Sequence, residues 1–390
     1  MVLKVSRRGE IPPFIVMDVM RAANDRAATG ADVLHLEVGQ PSTAAPAKVI
    51  AAAQAALCGD TIGYTEAFGV PALRRRIAQH YRDFYDCTVD PARIVLTTGS
   101  SGAFLLAFLA AFEPGDHVAL ASPSYPAYRN ILTALGLVPV ELPSGPAERY
   151  QASIALLEGA AGPRGEPIQG LIIASPANPT GTMLAREEIV ALARYCTRSG
   201  IRLVSDEIYH GLTYGGIATM TAAAVSDDAI VVNSFSKYFS MTGWRLGWMV
   251  VPPALLRAVE CLAQNFFISP PTLSQHAALA AFDCHDELRG NRARYAANRE
   301  LLLAELPAAG FGALAPADGA FYLYADIAGL TNDSVDFCQR MLAETGVACT
   351  PGTDFDRARG HAALRISFAG STATVAEAAR RLRAWRGGRD

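Results

Sequence analysis

The chain has 390 residues, of which 51% are hydrophobic and 18% charged, and its formal net charge is −3. This length predicts about two or three domains, or one large α/β domain with a smaller partner. The charge argues against nucleic acid as the main partner, because phosphate binding needs a basic face, and no apolar run reaches the roughly 18 residues of a membrane span.

Short apolar runs alternate with helical patterns in the middle of the chain. Runs of Val, Ile and Leu without polar alternation are typical of strands buried on both faces, and their alternation with helices predicts a mostly parallel sheet. The predicted strands are residues 93–98, 117–121, 137–142, 170–174, 202–205, 229–233 and 246–251. The predicted helices are residues 101–112, a helix ending near 135, and residues 186–199.

The pattern changes near residue 289. A long helix, a mixed segment at 321–327 and helices at 334–345 and 373–386 indicate a smaller α+β domain. Because the sheet pattern begins only near residue 93, we expect the first 45 residues to pack with that domain. The predicted division is an N-terminal arm with part of the small domain (1–45), a large domain (46–288) and a small C-terminal domain (289–390).

Polar segments follow five of the predicted strands. They are Thr98–Gly102, Ser122–Pro126, Ser175–Gly181, Asp206–Tyr209 and Ser234–Lys237. The carboxyl ends of parallel strands meet at one edge of an open sheet, which is where such sheets bind ligands. The five segments therefore predict one binding site.

Each segment also has an ordinary structural interpretation. Residues 99–102 form either a tight turn with a helix cap or a phosphate cradle, and they match neither of the common glycine-rich nucleotide motifs. Asp206 could cap a helix, and Lys237 could be a surface lysine.

The combination of these segments is more specific than any one of them. Only three of the 34 basic residues are lysines, Lys4, Lys48 and Lys237. Arginine cannot replace lysine where an amine must lose its proton and attack a carbonyl. A lysine, a preceding acid at Asp206 and a phosphate-type loop are what pyridoxal phosphate chemistry requires.

Longer motifs carry a family resemblance. The segment Ser234–Trp248 (SFSKYFSMTGWRLGW) resembles the lysine signature of class I/II aminotransferases, and the same family matches at Asn178–Gly181, Asp206–Tyr209, Gly63–Tyr64 and Leu364–Phe368. The resemblance implies a pyridoxal phosphate-dependent transferase of fold type I. Such a fold has a large α/β domain, whose mostly parallel mixed sheet is flanked by helices, and a smaller α+β domain.

The resemblance also implies roles for individual residues at the cofactor ring. Lys237 would form the Schiff base and shuttle the proton, and Asp206 would pair with the ring nitrogen of pyridoxal 5′-phosphate. Tyr209 and Asn178 would bond the phenolic oxygen, and Tyr125 would stack on the ring.

Further implied roles concern the phosphate, the substrate and a second subunit. The implied phosphate ligands are Ser100, Ser101, Ser234, Ser236 and Arg245. Arg365 would hold the substrate carboxylate, assisted by Asn178 and by the backbone N–H of Gly39. The family tyrosine that matches Tyr64 reaches the neighbouring subunit's phosphate, which implies a homodimer with shared sites.

Three functions follow as hypotheses. The first is amino transfer from an L-amino acid to a 2-oxo acid in a ping-pong cycle. The second is elimination by a β-lyase of the C–S lyase type, or decarboxylation, on the same fold. The third, a regulator, would need a DNA-binding domain before the fold, and a family motif already stands at Gly39. The side-chain pocket cannot be assigned, although the apolar segments 103–110 and 265–268 favour aliphatic or aromatic substrates.

Compartment and metal content are also predictable. Seven cysteines without a C-x-x-C pair are typical of a reducing cytoplasm, and the first ten residues lack the apolar core of a secretory signal. We therefore expect a cytoplasmic protein. The seven histidines contain no H-E-x-x-H motif, so a catalytic metal is not expected.

Overall fold

The structure is a computed structural model, and it describes residues 3–59, 61–162 and 164–385. The strands within these residues are β1 (Leu34–His35), β2 (Ile94–Thr97), β3 (His117–Ser122), β4 (Val138–Pro143), β5 (Gly170–Ala174), β6 (Arg202–Asp206), β7 (Ile230–Ser234), β8 (Gly247–Val250), β9 (Tyr322–Asp326), β10 (Val347–Ala348), β11 (Thr350–Pro351) and β12 (Ala363–Ser367). The helices are α1 (Ile15–Ala28), α2 (Ala47–Gly59), α3 (Pro71–Tyr85), α4 (Gly99–Ala111), α5 (Pro126–Leu135), α6 (Ile154–Glu158), α7 (Arg186–Ser199), α8 (Leu256–Phe266), α9 (Thr272–Ala278), α10 (His285–Glu305), α11 (Ser334–Thr345) and α12 (Thr372–Ala384).

The large sheet has seven strands in the order β2-β8-β7-β6-β5-β3-β4. The pairs β3–β4, β3–β5, β5–β6 and β6–β7 are parallel, and β8 is antiparallel to both β7 and β2. The predicted mostly parallel mixed sheet of an α/β fold is confirmed.

The core lies on both faces of this sheet. Successive side chains of a strand point to opposite faces. In β6, Leu203 packs into one core cluster and Val204 into the other, and in β7 Val231 and Val232 divide in the same way. Helix α4 covers one face, and after its two N-terminal serines the sequence from 102 to 111 (GAFLLAFLAA) has no polar side chain, which is typical of a largely buried helix.

Two smaller sheets are built from the ends of the chain. Strands β11, β12 and β9 form an antiparallel sheet, and β1 pairs in parallel with β10. The pairing of β1 with β10 joins the N-terminal segment to the C-terminal part of the chain. It supports the proposed division at residues 45 and 288, which remains a prediction.

Several elements differ from the sequence prediction. Helices α1, α2 and α3, all before residue 93, were not predicted, and α2 shows why, since its alanine-rich sequence offers little contrast between two faces. The helix expected from 289 begins at His285, and the helix expected at 373–386 ends at Ala384, with residue 386 outside the described part. Helices α7 and α11 have the predicted bounds.

Within the described ranges, no helix is both long and apolar enough to span a lipid bilayer.

Candidate active site

The polar segments converge at the carboxyl edge of the large sheet. Strands β5, β6 and β7 are neighbours, and their register places Ala174 beside Asp206 and Asp206 beside Val232. The segment after β5 carries Asn178, and the segment after β7 carries Lys237. Three of the five segments predicted to meet at one edge of the sheet therefore begin side by side there.

Asp206 is a buried acid at the end of β6. It is 5% exposed, and its carboxylate accepts hydrogen bonds from the Ile208 N–H at 3.0 Å and from the Tyr128 hydroxyl. Within the described part of the chain, no lysine or arginine lies within ion-pair distance of it. Burial raises the pKa of Asp206 to about 6, because a carboxylate removed from water and left without a cation is destabilised.

Lys237 is partly buried, and its amine makes a hydrogen bond to the backbone. Nζ donates a hydrogen bond to the Gly39 carbonyl oxygen at 2.6 Å. Burial, together with the positive charges of Arg365 and Arg245, lowers the pKa of Lys237 to about 8. The amine can therefore lose its proton near neutral pH, as a nucleophile or base must.

Arg365 forms a second buried centre next to the first. It is 2% exposed, and Nη1 donates to Asn178 Oδ1 at 2.9 Å while Nη2 donates to the Glu37 carbonyl. Nε is buried and has no hydrogen-bond partner within the described structure. A buried guanidinium with an unused donor is suited to a carboxylate ligand, which it can bind in a bidentate manner.

Tyr209 lies between these two centres. Its hydroxyl forms a hydrogen bond of 2.7 Å with the hydroxyl of Tyr322, and both side chains are buried. Burial raises the pKa of both phenols above the usual range, so both keep their protons at neutral pH.

The loop after β2 forms a cradle with Arg245. Gly99 opens α4 with φ +66°, and a Cβ placed on it would lie 2.5 Å from Nη2 of Arg245. Only glycine allows the guanidinium to approach the helix start so closely. Arg245 is exposed, Ser100 is half-buried and Ser101 is exposed, all beside an N-terminus that favours anions.

The two serines around Lys237 extend this cradle. Ser234 Oγ contacts Ser236 Oγ at 2.8 Å and the Leu246 carbonyl at 3.1 Å, and both serines are buried. The Ser236 carbonyl accepts from Thr242 Oγ1 at 2.7 Å, and the Thr242 carbonyl accepts from Arg245 Nη1 at 3.1 Å. This chain of contacts joins the serines to Arg245.

Two predicted residues lie at the margins of the site. Tyr125 precedes α5 and is half-buried, and its ring meets Phe14 edge-on with centroids 5.7 Å apart. Tyr64 lies on the surface with 84% of its side chain exposed, and it belongs to the site only if a second subunit supplies it.

Sequence reasoning missed several residues of the site. Tyr128, Tyr322 and Glu207 are buried and contact or adjoin predicted residues. Tyr128 lies three positions after Tyr125, so helical spacing was a signal for it. Tyr322 lies more than a hundred residues from Tyr209, and local sequence carries no signal for that contact.

The residues present fit pyridoxal phosphate. A buried carboxylate without a cation, at Asp206, suits a protonated ring nitrogen, and the glycine-opened cradle with Arg245 suits a phosphate. An amine with a lowered pKa, at Lys237, suits an aldehyde. Among the described residues, no group of three or more acidic, histidine or cysteine side chains could hold a metal.

Comparison with known proteins agrees with this arrangement. The family model described as aminotransferase class I and II matches residues 31–382. The valine–pyruvate aminotransferase of Mycobacterium tuberculosis is 53% identical over 385 residues, covering 98% of each chain. The aspartate/prephenate aminotransferase of Thermus thermophilus is 33% identical over 382 residues, covering 97% of each. The crystal structure of an aminotransferase from Mycobacterium tuberculosis superposes with a TM-score of 0.96 at 52% identity, covering 100% of both chains.

Proposed function

The chain belongs to the class I and II aminotransferases, and we propose that it transfers the amino group of a small aliphatic amino acid, with valine as the first candidate, to pyruvate. Its general activity follows from the family. The protein is a pyridoxal phosphate-dependent transferase that moves an amino group from an L-amino acid to a 2-oxo acid.

The substrate proposal rests on one observation, the 53% identity over nearly the whole of both chains to a relative named valine–pyruvate aminotransferase. One contact agrees with an apolar side chain, because the Phe14 ring borders Tyr125 at the mouth of the site.

We propose that the ring of the cofactor lies among the buried residues. Bound there, pyridoxal phosphate supplies an aldehyde that reacts with amines and a protonated ring that withdraws electrons from the substrate Cα. Asp206 holds a negative charge toward the ring nitrogen, and its raised pKa falls when that cation arrives. Tyr209 and Asn178 donate to the phenolic oxygen, and Tyr125 covers one face of the ring.

Lys237 and Arg365 act on the substrate in this proposal. Lys237, with a pKa of about 8, gives up its proton readily and then takes the Cα proton as general base. Arg365 holds the substrate carboxylate through its unused donor, together with Asn178 and the Gly39 N–H. Fixing the carboxylate fixes the Cα near the lysine, which supplies the orientation that the reaction needs.

The phosphate lies in this cradle in the proposal. Ser100 and Ser101 donate hydrogen bonds from the start of α4, Ser234 and Ser236 donate from the end of β7, and Arg245 neutralises the phosphate with charge-assisted bonds. Arg245 and Ser101 are exposed, so the anion reaches the cation from solvent, whereas Ser234 and Ser236 line the buried side of the cradle.

We further propose that the protein is a homodimer. Four apolar side chains, Ile62, Tyr64, Phe266 and Ile268, are between 41% and 84% exposed. Their two segments are tied together, because Thr272 Oγ1 donates to the Gly63 carbonyl at 2.5 Å and Gln275 Nε2 to Thr65 Oγ1 at 3.1 Å. An exposed apolar face whose segments are fixed by hydrogen bonds in this way is typical of a protein interface.

A charged substitution on that face tests whether the protein is a dimer. Ile268→Asp should convert the dimer to monomer in sedimentation velocity, whereas Ile217→Asp, at an exposed isoleucine on another loop, should not. A monomeric wild type would overturn the proposal. We also propose a cytoplasmic location, which the seven free cysteines support.

A half-reaction screen tests the substrate. The holoenzyme is mixed with one amino acid at a time and the loss of its visible absorbance is followed. We expect valine to react at least about tenfold faster than aspartate, since a pocket that fits an isopropyl side chain would remove the second carboxylate of aspartate from water. Faster reaction with aspartate would overturn the aliphatic assignment. Release of ammonia from a cysteine-type substrate without any 2-oxo acid acceptor would instead favour the lyase function, to which none of the three relatives described above points.

A further inference from the structure

We propose that Tyr322 is a positioning residue of the active site with two separable tasks. Its hydroxyl strengthens the hydrogen bond that Tyr209 donates to the cofactor, and its ring keeps the Arg365 guanidinium in place for the substrate carboxylate. The proposal rests on the proposed function, since it assumes that the cofactor lies against Tyr209.

The position of Tyr322 in the small antiparallel sheet makes both tasks possible. Tyr322 begins β9 and pairs with Ser367 of β12, so Arg365 is its diagonal neighbour on the adjacent strand. Diagonal neighbours are within reach of aromatic and long side chains. The Tyr322 ring centroid lies 4.4 Å from Cζ of Arg365, and the side chain is 1% exposed.

The first task follows from counting protons. The hydroxyls of Tyr322 and Tyr209 are 2.7 Å apart, and each phenol has a single proton to donate. If Tyr209 donates to the phenolic oxygen of the cofactor, its oxygen can only accept from Tyr322. The two hydroxyls then form a chain in which the first bond polarises the second.

A second contact fixes the Tyr322 hydroxyl in this place. A Cβ built on Gly39 would lie 1.6 Å from Oη of Tyr322, so only glycine leaves room for the hydroxyl there. The Gly39 carbonyl accepts from Lys237 Nζ at 2.6 Å. The Tyr322 hydroxyl thus lies between Gly39, which contacts the Lys237 amine, and Tyr209, which is proposed to contact the cofactor oxygen.

The second task follows from the surroundings of Arg365. The guanidinium lies between the rings of Tyr322 and Phe355, whose centroids are 4.4 Å and 4.8 Å from Cζ. Nε has no hydrogen-bond acceptor within the described structure. The two aromatic faces therefore hold the plane of the arginine while one donor stays free for a ligand.

Two variants separate the tasks, and a third serves as control. Tyr322→Phe removes the hydroxyl and keeps the ring, whereas Tyr322→Leu removes both. Tyr214→Phe is the matched control, because Tyr214 is also a buried tyrosine, 6% exposed, whose hydroxyl donates to the backbone carbonyl of Ala320. Two properties of each holoenzyme are measured without turnover. One is the pKa of the visible cofactor absorbance, and the other is the dissociation constant of 3-methylbutanoate from its spectral change.

The expected results differ between the variants. In Tyr322→Phe the spectroscopic pKa should rise by roughly 0.3–1 unit, because a weaker donor stabilises the deprotonated chromophore less. Its dissociation constant for 3-methylbutanoate should stay within about twofold, since the ring contact remains. In Tyr322→Leu the same rise in pKa should be joined by a dissociation constant raised roughly 3- to 30-fold. Tyr214→Phe should change neither quantity.

Two results would overturn the proposal in distinguishable ways. A Tyr322→Phe holoenzyme that titrates like wild type, while Tyr209→Phe is shifted, shows that the role of Tyr322 is wrong and leaves the proposed function standing. A wild-type protein that binds no pyridoxal phosphate shows that the proposed function is wrong, and the role of Tyr322 falls with it.

Discussion

The two ends of the candidate cofactor site differ in their exposure to solvent. At the ring end, Asp206, Tyr209 and Asn178 are each less than 9% exposed, and each has a hydrogen-bond partner within the chain. At the phosphate end, Ser234 and Ser236 are buried, but the cation Arg245 and Ser101 are exposed.

This difference in exposure has a different consequence at each end of the site. Burial at the ring end sets the charges, since it raises the pKa of Asp206 to about 6 and lowers that of Lys237 to about 8. The phosphate end keeps its cation in water, where an anion can reach it. In our account the ring end sets the chemistry, and the phosphate end sets the affinity for the cofactor and its link to the second subunit.

The largest expected effect is at the ring end. Asp206→Asn keeps the shape and removes the negative charge, so turnover should fall about 100-fold or more, as when one partner of a buried charge pair is removed. Steady-state kinetics of the holoenzyme would measure the loss. Asp228→Asn, at an exposed acid near the same sheet, is the control and should be neutral. Turnover of Asp206→Asn within threefold of wild type would contradict the claim that the negative charge of Asp206 is needed for the reaction.

Removing the cation at the phosphate end should act mainly on affinity. Arg245→Gln should raise the dissociation constant of pyridoxal phosphate roughly 10- to 100-fold, which corresponds to the loss of about 1.5–3 kcal/mol from a charge-assisted bond. Fluorescence titration of the apoenzyme would measure it, with turnover at saturating cofactor reduced far less. Arg257→Gln on α8, an exposed arginine paired with Glu260 at 2.7 Å, is the matched control. Equal losses in the two arginine variants would show that the cradle is not the phosphate site.

A smaller effect is expected at the position assigned to the neighbouring subunit. Tyr64→Phe removes one hydroxyl donor to the phosphate, and the dissociation constant of the cofactor should rise roughly three- to tenfold. The change should be seen only at protein concentrations where the dimer persists. An equal effect in monomers would show that Tyr64 does not act across the interface.

The smallest effect on turnover is expected from Glu207→Gln, next to Asp206 in the sequence. This acid is 1% exposed, and burial raises its pKa from 4.5 to about 8. The folded protein thus holds a proton that the unfolded chain has released between these pH values, so the wild type loses stability as pH rises through that range. Glu207→Gln cannot ionise, and its free energy of unfolding relative to wild type should increase from pH 5 to pH 8 by on the order of a few kcal/mol.

Denaturant unfolding at both pH values measures this difference. Glu166→Gln is the control, because Glu166 is a half-buried acid whose pKa is lowered by hydrogen bonds from backbone N–H groups, the opposite direction. Turnover of Glu207→Gln should stay within about twofold of wild type, because Glu207 accepts hydrogen bonds from Ser205 and the Ala222 N–H and from none of the residues assigned to the cofactor. A stability difference that is the same at pH 5 and pH 8 would show that Glu207 carries no raised pKa.

Candidate residues at both ends of the site could be predicted from the sequence. Strand-end motifs and the lysine signature indicated Lys237, Asp206 and Arg245, because local spacing around one sheet edge decides where such residues lie. The α/β class and helices α7 and α11 were equally readable, since apolar periodicity is a local property.

Residues that act through tertiary packing were not predictable. Tyr322 meets Tyr209 and Arg365 through the pairing of distant strands, and Glu207 is distinguished from its neighbour Asp206 only by its contacts with Ser205 and Ala222. The antiparallel direction of β8 also depends on how the chain returns to the sheet, which its apolar composition does not encode.

The central claim is that the amine of Lys237 holds the cofactor, and it can be tested by chemical trapping. The protein is incubated with pyridoxal phosphate, reduced with borohydride and mapped by peptide mass spectrometry. We predict one pyridoxyl label per chain, on Lys237, and none on the exposed Lys48. A label on Lys48 with Lys237 unmodified, or no label at all, would contradict the account.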